Sequence, residues 1–537
     1  MKTIRKYMTI LLAAMMLAVL LPIAAQTALA VDWGSGVTVT LPVGATQSNL
    51  QSAINSASNG VPTTIKLQNN IVTSSTVTIP ANKVIRLVSS DLSVHEPEEY
   101  ENVSEKGGGA IVLTKYKIDA HRSGNGGIMH FSVITVEAGA TLCLEQIIVR
   151  GAYKNGSGGG VYNQGTLVLE KGARISDNTI SNVGGGVYNG GTFTMNAGAE
   201  ILDNSAPGGG GVYNGSIFTM TGGKISGNEA SHFWAEGGGV CNDGTFTMTG
   251  GTIAGNDSYW MGGGVYNSGA NTFTMTGGSI LSNTADLGGG VCGENHSPFS
   301  SPGLIALTNG TIADNKAASG GGIYTDSGHI ALTNCIVSGN TATYAFGGGI
   351  YIAGNGDYET LITNSAISGN KAAKDGGGIY TEFRYSLFVS STAFTNNAAK
   401  YFVAVAPLPG DQNIHTENII GCTFTDNPMT GSPFAWAYNN YDVNYAPQPA
   451  QYSVTYAPGT TDPVTNMPTN GSGTAGQPFN IASGKPQRAG YTFKGWQFGA
   501  SSITYPAGGS FTMPYSNVVL TAKWAKGYVY QRAERSL

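Results

Sequence analysis

The chain has 537 residues, of which 79 are glycine and 11% are charged, and its formal net charge at pH 7 is −5. Glycine does not recur at every third position, which excludes collagen, and a hydrophobic content of 41% argues against a disordered chain. No basic stripe is present that could neutralise phosphates, so we expect no nucleic-acid partner. This composition favours tightly turned β structure.

Residues 1–30 have the pattern of a signal peptide. Cations among the first eight residues precede an apolar run, Thr9–Ala25, and Ala28-Leu29-Ala30 then supplies a cleavage site. We therefore expect cleavage after Ala30 and a secreted protein of the cell envelope or cell surface. The alternative is an uncleaved membrane anchor. No second apolar stretch of membrane length follows, so no transmembrane segment is expected after cleavage.

Residues 31–150 are predicted to form an N-terminal cap and irregular first coils. Asn49–Ala57 can form a short amphipathic helix with Leu50 and Ile54 on its apolar face. Such a helix can cover the open end of a stack of coils. The acidic segment Glu96–Glu105 is expected to be a solvated insertion.

Residues 151–430 contain a regular repeat. A Gly-Gly-Gly-Val/Ile string recurs about every 27 residues, and each block closes with Ile/Val/Phe-x-x-Asn. Segments such as Thr192–Met195 alternate polar and apolar residues, which is typical of a strand with one buried face. A single block cannot enclose its own core, but stacked blocks can. We therefore predict an all-β parallel β-helix; the alternative, a propeller, needs blades of roughly 40–50 residues.

Stacked coils also bear on the cysteines, Cys143, Cys241, Cys292, Cys335 and Cys422. Equivalent positions of successive coils lie about 4.8 Å apart, and we expect the closing asparagines to form a hydrogen-bonded ladder. Cys241 and Cys292 replace a tyrosine of the other blocks and lie two coils apart, beyond the reach of a disulfide. We predict buried thiols rather than disulfides or metal ligands, since no zinc spacing occurs.

The alternation of Gly-Gly-Gly-Val/Ile with Ile-x-x-Asn over about residues 31–440 resembles right-handed parallel β-helix proteins of the pectin-lyase-like class. It is most similar to bacterial surface adhesins that alternate Gly-Gly-Ala-Ile with Phe-x-x-Asn motifs. The resemblance implies a right-handed β-helix and, as an expectation, a role at the cell surface.

Prolines interrupt the repeat, and residues 431–450 are predicted to be a linker to a separate module at 451–525, with a tail at 526–537. The string Gly490-Tyr-Thr-Phe-Lys-Gly-Trp496 and a terminal Trp524 resemble one Listeria–Bacteroides repeat, also called the internalin B-repeat. That family is a small β-grasp-like module of cell-envelope proteins. Tyr491, Phe493 and Trp524 are expected to form its aromatic core.

The pectin-lyase-like class includes polysaccharide-degrading enzymes, which need clustered carboxylates. Asp177 and Asp203 occupy the same position in adjacent blocks, directly before the closing asparagine. They are weak catalytic candidates that could share a proton or bind a cation; the alternative is that both are turn residues. No other catalytic residue, metal ligand or cofactor is predicted, and calcium is left open.

Loops between the closing asparagine and the next glycine triplet carry large aromatic residues. They contain Phe233, Trp234, Tyr259, Trp260 and, three coils further on, Tyr344 and Phe346. Exposed aromatic residues mark a contact surface, and flat rings suit the apolar faces of sugars or a protein partner. The alternative is that these rings fold back over the edge of the coil.

These observations predict an exported cell-envelope β-helix that acts as a non-catalytic adhesin or glycan- or partner-binding scaffold. Its expected partner is an extracellular polysaccharide or a surface protein, and the chain is expected to be monomeric. Two alternatives remain: a pectate-lyase-like enzyme and a passive structural stalk.

Overall fold

The computed structural model describes residues 31–90, 116–120, 131–294, 303–326, 329–353, 359–374, 376–381, 387–400, 419–420, 423–425, 429–430, 451–474, 478–498, 504–513 and 517–526. Outside these ranges lie residues 1–30, which were predicted to be a signal peptide, the acidic segment 96–105, Cys422, the predicted linker 431–450 and residues 527–537. The chain divides into two compact units, Met1–Tyr445 and Ala446–Leu537.

Each coil of the first unit contains up to four short strands, which pair with their equivalents in the next coil to form parallel sheets. Sheet 1, whose strands from Val161 onwards follow the glycine triplet, contains Val77–Ile79, Ile134–Val136, Val161–Asn163, Val187–Asn189, Val212–Asn214, Val240–Asn242, Val265–Ser268, Val291–Glu294, Ile323–Thr325, Ile350–Ile352 and Ile379–Thr381. Sheet 2 contains Val37–Thr40, Pro62–Leu67, Val84–Ser89, Thr141–Glu145, Thr166–Leu169, Thr192–Met195, Ile217–Met220, Thr245–Met248, Thr272–Met275, Leu304–Thr308, Ile330–Thr333, Thr360–Thr363, Leu387–Ser390 and Ile419–Ile420.

Sheet 3 contains Ile71–Thr73, Lys117–Ala120, Ile148–Arg150, Arg174–Ser176, Glu200–Leu202, Lys224–Ser226, Thr252–Ala254, Ser279–Leu281, Thr311–Ala313, Ile336–Ser338, Ala366–Ser368, Ala393–Thr395 and Thr423–Thr425. Sheet 4 follows the closing asparagine. It contains Tyr153–Lys154, Thr179–Ile180, Ser205–Ala206, Glu229–Ala230, Asp257–Ser258, Lys316–Ala317, Thr341–Ala342, Lys371–Ala372, Ala398–Lys400 and Met429–Thr430. Single bridges through Thr284 join its two halves. The predicted parallel β-helix is confirmed.

Identical side chains stack along the inside of the coils. Phe193, Phe218, Phe246 and Phe273 are fully buried, and their successive ring centroids lie 4.5, 4.6 and 4.9 Å apart. Offset stacking of this kind adds to the stabilisation from buried apolar area. The period-two pattern therefore identified the buried face of sheet 2 correctly.

Buried asparagines form two ladders. In the predicted ladder of closing residues, each Nδ2 donates to the next Oδ1 at 2.8–3.0 Å, from Asn178 through Asn397. A second ladder, which the sequence reasoning missed, runs at 2.7–2.8 Å through Asn163, Asn189, Asn214, Asn242 and Asn267. Both ladders satisfy polar groups that would be costly to bury unpaired.

The glycine triplet is required by two different constraints. Its first residue has a positive φ, for example 67° at Gly237, which glycine adopts without steric cost. Its third residue packs against the next coil: a Cβ on Gly239 would lie 2.6 Å from the carbonyl oxygen of Gly264. Coils can therefore stack closely only without side chains here.

The N-terminal helix, α1, spans Gln47–Ser56 and begins two residues before the predicted start. Leu50 and Ile54 are fully buried and belong to the same core cluster as the first coils. Thr46 and Asn49 form a capping box at its start, a motif that fixes a helix terminus. Within the described ranges, no helix is both long and apolar enough to cross a membrane.

The second unit is the small sheet module that was predicted. Its main sheet has the strand order Gly471–Thr474, Gln451–Ala457, Val518–Lys526, Tyr491–Phe498 and Thr504–Tyr505, and Pro478–Asn480 pairs with Ser510–Thr512. The centre of its core is Trp496, which is fully buried, whereas Phe493 and Trp524 are only partly buried around it. Tyr491 instead stacks on Arg488, 3.6 Å from its guanidinium carbon.

Candidate functional site

The candidate site lies on the edge of the solenoid where loops connect sheet 4 to the next glycine triplet. The residues that precede successive triplets pair with one another: Glu236 with Met261, and Met261 with Leu287. The register is thus the same on both sides of the loops, although the loop 231–235 is longer than the loop 259–260. Extra residues in these loops must project from the stack.

Three of the six predicted aromatic residues form an exposed group on two adjacent coils. Phe233, Trp234 and Tyr259 are 64%, 60% and 61% exposed. The ring of Phe233 lies edge-on to Trp234 at 5.2 Å and 6.0 Å from the ring of Tyr259. Large exposed rings in mutual contact are unusual on the surfaces of soluble proteins in general.

Trp260 packs against this exposed group. It is half-buried, and its ring centroid lies 4.2 Å from that of Trp234. It packs on a small apolar cluster on the outer face of sheet 1 that also contains Cys241, Met261, Tyr266, Cys292, Tyr213, Leu287 and Tyr324. Trp260 therefore follows the alternative prediction of a ring folded over the coil edge, and it anchors the exposed rings.

Tyr344 and Phe346 lie further along the same edge and differ from each other. Tyr344 is 74% exposed, whereas Phe346 is half-buried and stacks on Tyr380 at 4.3 Å. The ammonium group of Lys374 lies 5.3 Å from the ring centroids of both Tyr344 and Phe346, within the range of a cation–π interaction. Sequence reasoning missed Lys374, because it lies one coil away from both rings.

Asp177 and Asp203 occupy equivalent positions in adjacent coils, and the backbone conformation at these positions explains why aspartate occurs there. Their φ values are 57° and 56°, and Gly227, in the same position of the next coil, has a φ of 62°. Aspartate and glycine are among the few residues that tolerate this left-handed conformation. Asp177 also lies 3.6 Å from Nη1 of Arg150.

The pKa of Asp203 is subject to opposing influences. Burial, and then the charge of Asp177, raise the pKa of Asp203, while Arg174 and Lys224 oppose the shift. Among the described residues, no group of three or more His, Cys, Asp or Glu side chains is arranged to hold a metal ion. The hypotheses that this pair shares a proton or binds calcium stay untested predictions.

The four described cysteines are free and buried, as predicted. Burial raises the pKa of Cys143 to about 12 and places those of Cys241 and Cys292 well above the ordinary value. A thiol held in its protonated form is neither a good nucleophile nor a metal ligand. These residues therefore fill space in the outer and inner layers of the coils.

Comparisons of this chain with protein-family models, with curated proteins and with solved structures found no match.

Proposed function

We propose that this protein is an exported, cell-envelope-associated β-solenoid that acts as a non-catalytic adhesin or binding scaffold. Its contact surface is the group of Phe233, Trp234, Tyr259 and Trp260, and its partner is an extracellular polysaccharide or a surface protein. The observation that carries this proposal is the exposure of three large rings on a rigid stack of coils.

Rigidity matters because a preformed surface loses little conformational entropy on binding. The rings rest on Trp260, which is itself held by the outer apolar cluster. In the same two coils, Asn228 and Asn256 continue the buried ladder. Such a platform can offer flat apolar faces in a fixed arrangement to sugar rings or to a protein.

Export and envelope association rest on the sequence. The leader-like pattern of residues 1–30 supports export, and the Gly490–Trp496 string resembles a module of cell-envelope proteins. The turn conformation of Asp177 and Asp203 supports a structural use of these carboxylates. The binding scaffold is therefore favoured over the pectate-lyase-like enzyme.

The test is retention of the purified full chain on a panel of insoluble acidic and neutral polysaccharides and on bacterial cell surfaces, with and without calcium. We expect Trp234→Ala combined with Tyr259→Ala to reduce retention at least about tenfold, as for central contact residues. Ile336→Ala removes an exposed apolar side chain on sheet 3 and serves as the control. Release of reducing or unsaturated sugar ends, lost in Asp203→Asn, would contradict the proposal in favour of an enzyme.

A further inference from the structure

The charges along the outer face of sheet 4 are segregated by sign. In the strands from Thr179–Ile180 through Ala398–Lys400, the first residue is at least partly exposed and the second is buried, as in Glu229–Ala230 and Lys316–Ala317. Register therefore aligns the solvent-facing residues in one column. In order along the solenoid they are Tyr153, Thr179, Ser205, Glu229, Asp257, Thr284, Lys316, Thr341, Lys371 and Ala398.

None of the four charged side chains of this column forms an ion pair within the described part of the chain. Glu229 and Asp257 are instead direct neighbours across the sheet. Like charges in that arrangement are destabilising, so packing within the chain gives no reason for the order. A partner that carries the opposite charge order would remove the repulsion.

Each charged half of the column is accompanied by exposed aromatic residues. We define the acidic patch as Glu229, Phe233, Trp234, Asp257 and Tyr259, and the basic patch as Lys316, Tyr344, Lys371 and Lys374. In the basic patch the ammonium group of Lys374 already lies over the ring of Tyr344. Rings and carboxylates of the acidic patch offer a lysine side chain the same kind of contact, with ion pairing added.

Both patches lie on the same edge, so one chain cannot bring its own patches together. Between them the loops are short, since single residues, Asp286 and Ala318, connect sheet 4 to the residue before the triplet. A twofold axis between the coils of Thr284 and Lys316 would place Glu229 of one copy opposite Lys371 of the other, and the reverse. The two contacts would lie five coils apart, roughly 24 Å at the strand spacing.

We propose that two copies of this chain associate edge to edge and antiparallel, with the acidic patch of each lying on the basic patch of the other. Such an interface is isologous, so both contacts form at once. A second copy matches the column better than a polysaccharide of one charge sign, which would be attracted by one half and repelled by the other. This inference rests on the proposed function, because it identifies the surface-protein partner as the chain itself; it replaces the expected monomer.

The experiment measures the mass of the purified full chain by sedimentation over a range of concentrations and salt. The wild type is expected to form dimers that weaken as salt increases. Variant A, Glu229→Lys with Asp257→Lys, and variant B, Lys316→Glu with Lys371→Glu, are each expected to weaken dimerisation at least about tenfold. The control, Lys523→Glu with Lys526→Glu, makes the same charge change as B on the second unit and should still dimerise.

Mixing provides the decisive result. Variant A has two positive patches and variant B two negative ones, so an equimolar mixture should form heterodimers, and a chain with all four substitutions should dimerise again. Folding defects cannot produce this recovery. A monomeric wild type at every concentration, or a mixture that stays monomeric, would overturn the proposal. Retention on polysaccharides or cells by monomeric variants is scored separately, so failure of self-association is distinguishable from failure of the binding function.

Discussion

Replacement of one asparagine of the closing ladder tests whether the ladder holds the coils together. The Oδ1 atom of Asn256 accepts from the backbone N and the Nδ2 of Asn228, at 3.0 and 2.9 Å. Its Nδ2 donates to Asn283 Oδ1 at 2.9 Å and to the carbonyl oxygen of Ile225 at 3.0 Å. Asn256→Ala removes all four hydrogen bonds from a buried position.

At about 1 kcal/mol for each hydrogen bond, the loss is about 4 kcal/mol of the free energy of unfolding, since the partners left behind are buried. Neighbouring coils of a solenoid stabilise one another mainly through their shared interface. A defect in the middle of the stack should therefore lower the stability of the adjacent coils and divide unfolding into separate transitions.

The measurement is urea unfolding of the full chain followed by far-ultraviolet circular dichroism. Asn256→Ala should shift the main midpoint to lower urea and broaden or split the transition. Asn182→Ala is the matched control, because Asn182 is exposed and makes a single hydrogen bond to Ser157; a change within about 0.5 kcal/mol is expected there. Equal midpoints for the two variants would refute the structural role given to the ladder.

Three further predictions follow from the coil geometry. Asp203→Asn should raise the thermal midpoint at pH 7 and leave it nearly unchanged below pH 3.8. The reason is that the pKa of Asp203 in the folded chain is raised above 3.8, so stability falls as the pH rises from 3.8 through that folded-state pKa. A lower midpoint at pH 7 would contradict this. Cys241 and Cys292 should not react with an aromatic disulfide reagent at about pH 8 until the chain is unfolded, because burial keeps both thiols protonated; labelling of the native protein would show that they are accessible. Gly239→Ala should lower the urea midpoint more than Gly255→Ala. An added Cβ lies 2.6 Å from a backbone oxygen at Gly239 but meets nothing within 4 Å at Gly255, although Gly255 has a φ of 63°. The reverse order would indicate that the strain of a positive φ, and not contact between coils, explains the glycine triplet.

The sequence was sufficient to predict the coils because the repeat defines both the period and the register. Once Phe193 is placed on the inner face, Phe218 and Phe246 must follow, and the structure pairs them directly. The start of α1 was misplaced by two residues, since the reciprocal contacts of Thr46 and Asn49 fix it earlier than the apolar pattern indicates.

In the second unit, the alternation of buried and exposed residues along a strand does not predict the core correctly. Phe493 and Trp496 both contact the core, although they are three residues apart in one strand. The register shifts between Phe493 and Gly495, and such a bulge reverses the faces of all later residues in the strand. The sequence did not reveal this bulge, so the predicted core contained Tyr491, Phe493 and Trp524 and left out Trp496.

At the candidate site, the conformation of the loops could not be predicted from the sequence. Trp234 and Trp260 look equivalent in sequence, yet only Trp260 packs on the outer apolar cluster. The difference arises because Trp260 directly precedes Met261, whose backbone is held in the stack, whereas Trp234 belongs to a longer loop. The order of charges in the column could have been predicted from the sequence, since every member from Thr179 to Ala398 directly follows a closing asparagine.

The same geometry explains why binding would be placed at this edge. Inside the coils, a change at an asparagine, a phenylalanine or a triplet glycine affects contacts with the coils on both sides. Loops on the edge are different: 231–235 and 259–260 differ in length, yet the pairing of Ala230 with Ser258 before them and of Glu236 with Met261 after them is intact. Extending a loop that is already closed costs little free energy. Aromatic residues and charges can therefore accumulate along the edge without disturbing the stack, and their order there reflects what the edge contacts rather than what the fold requires.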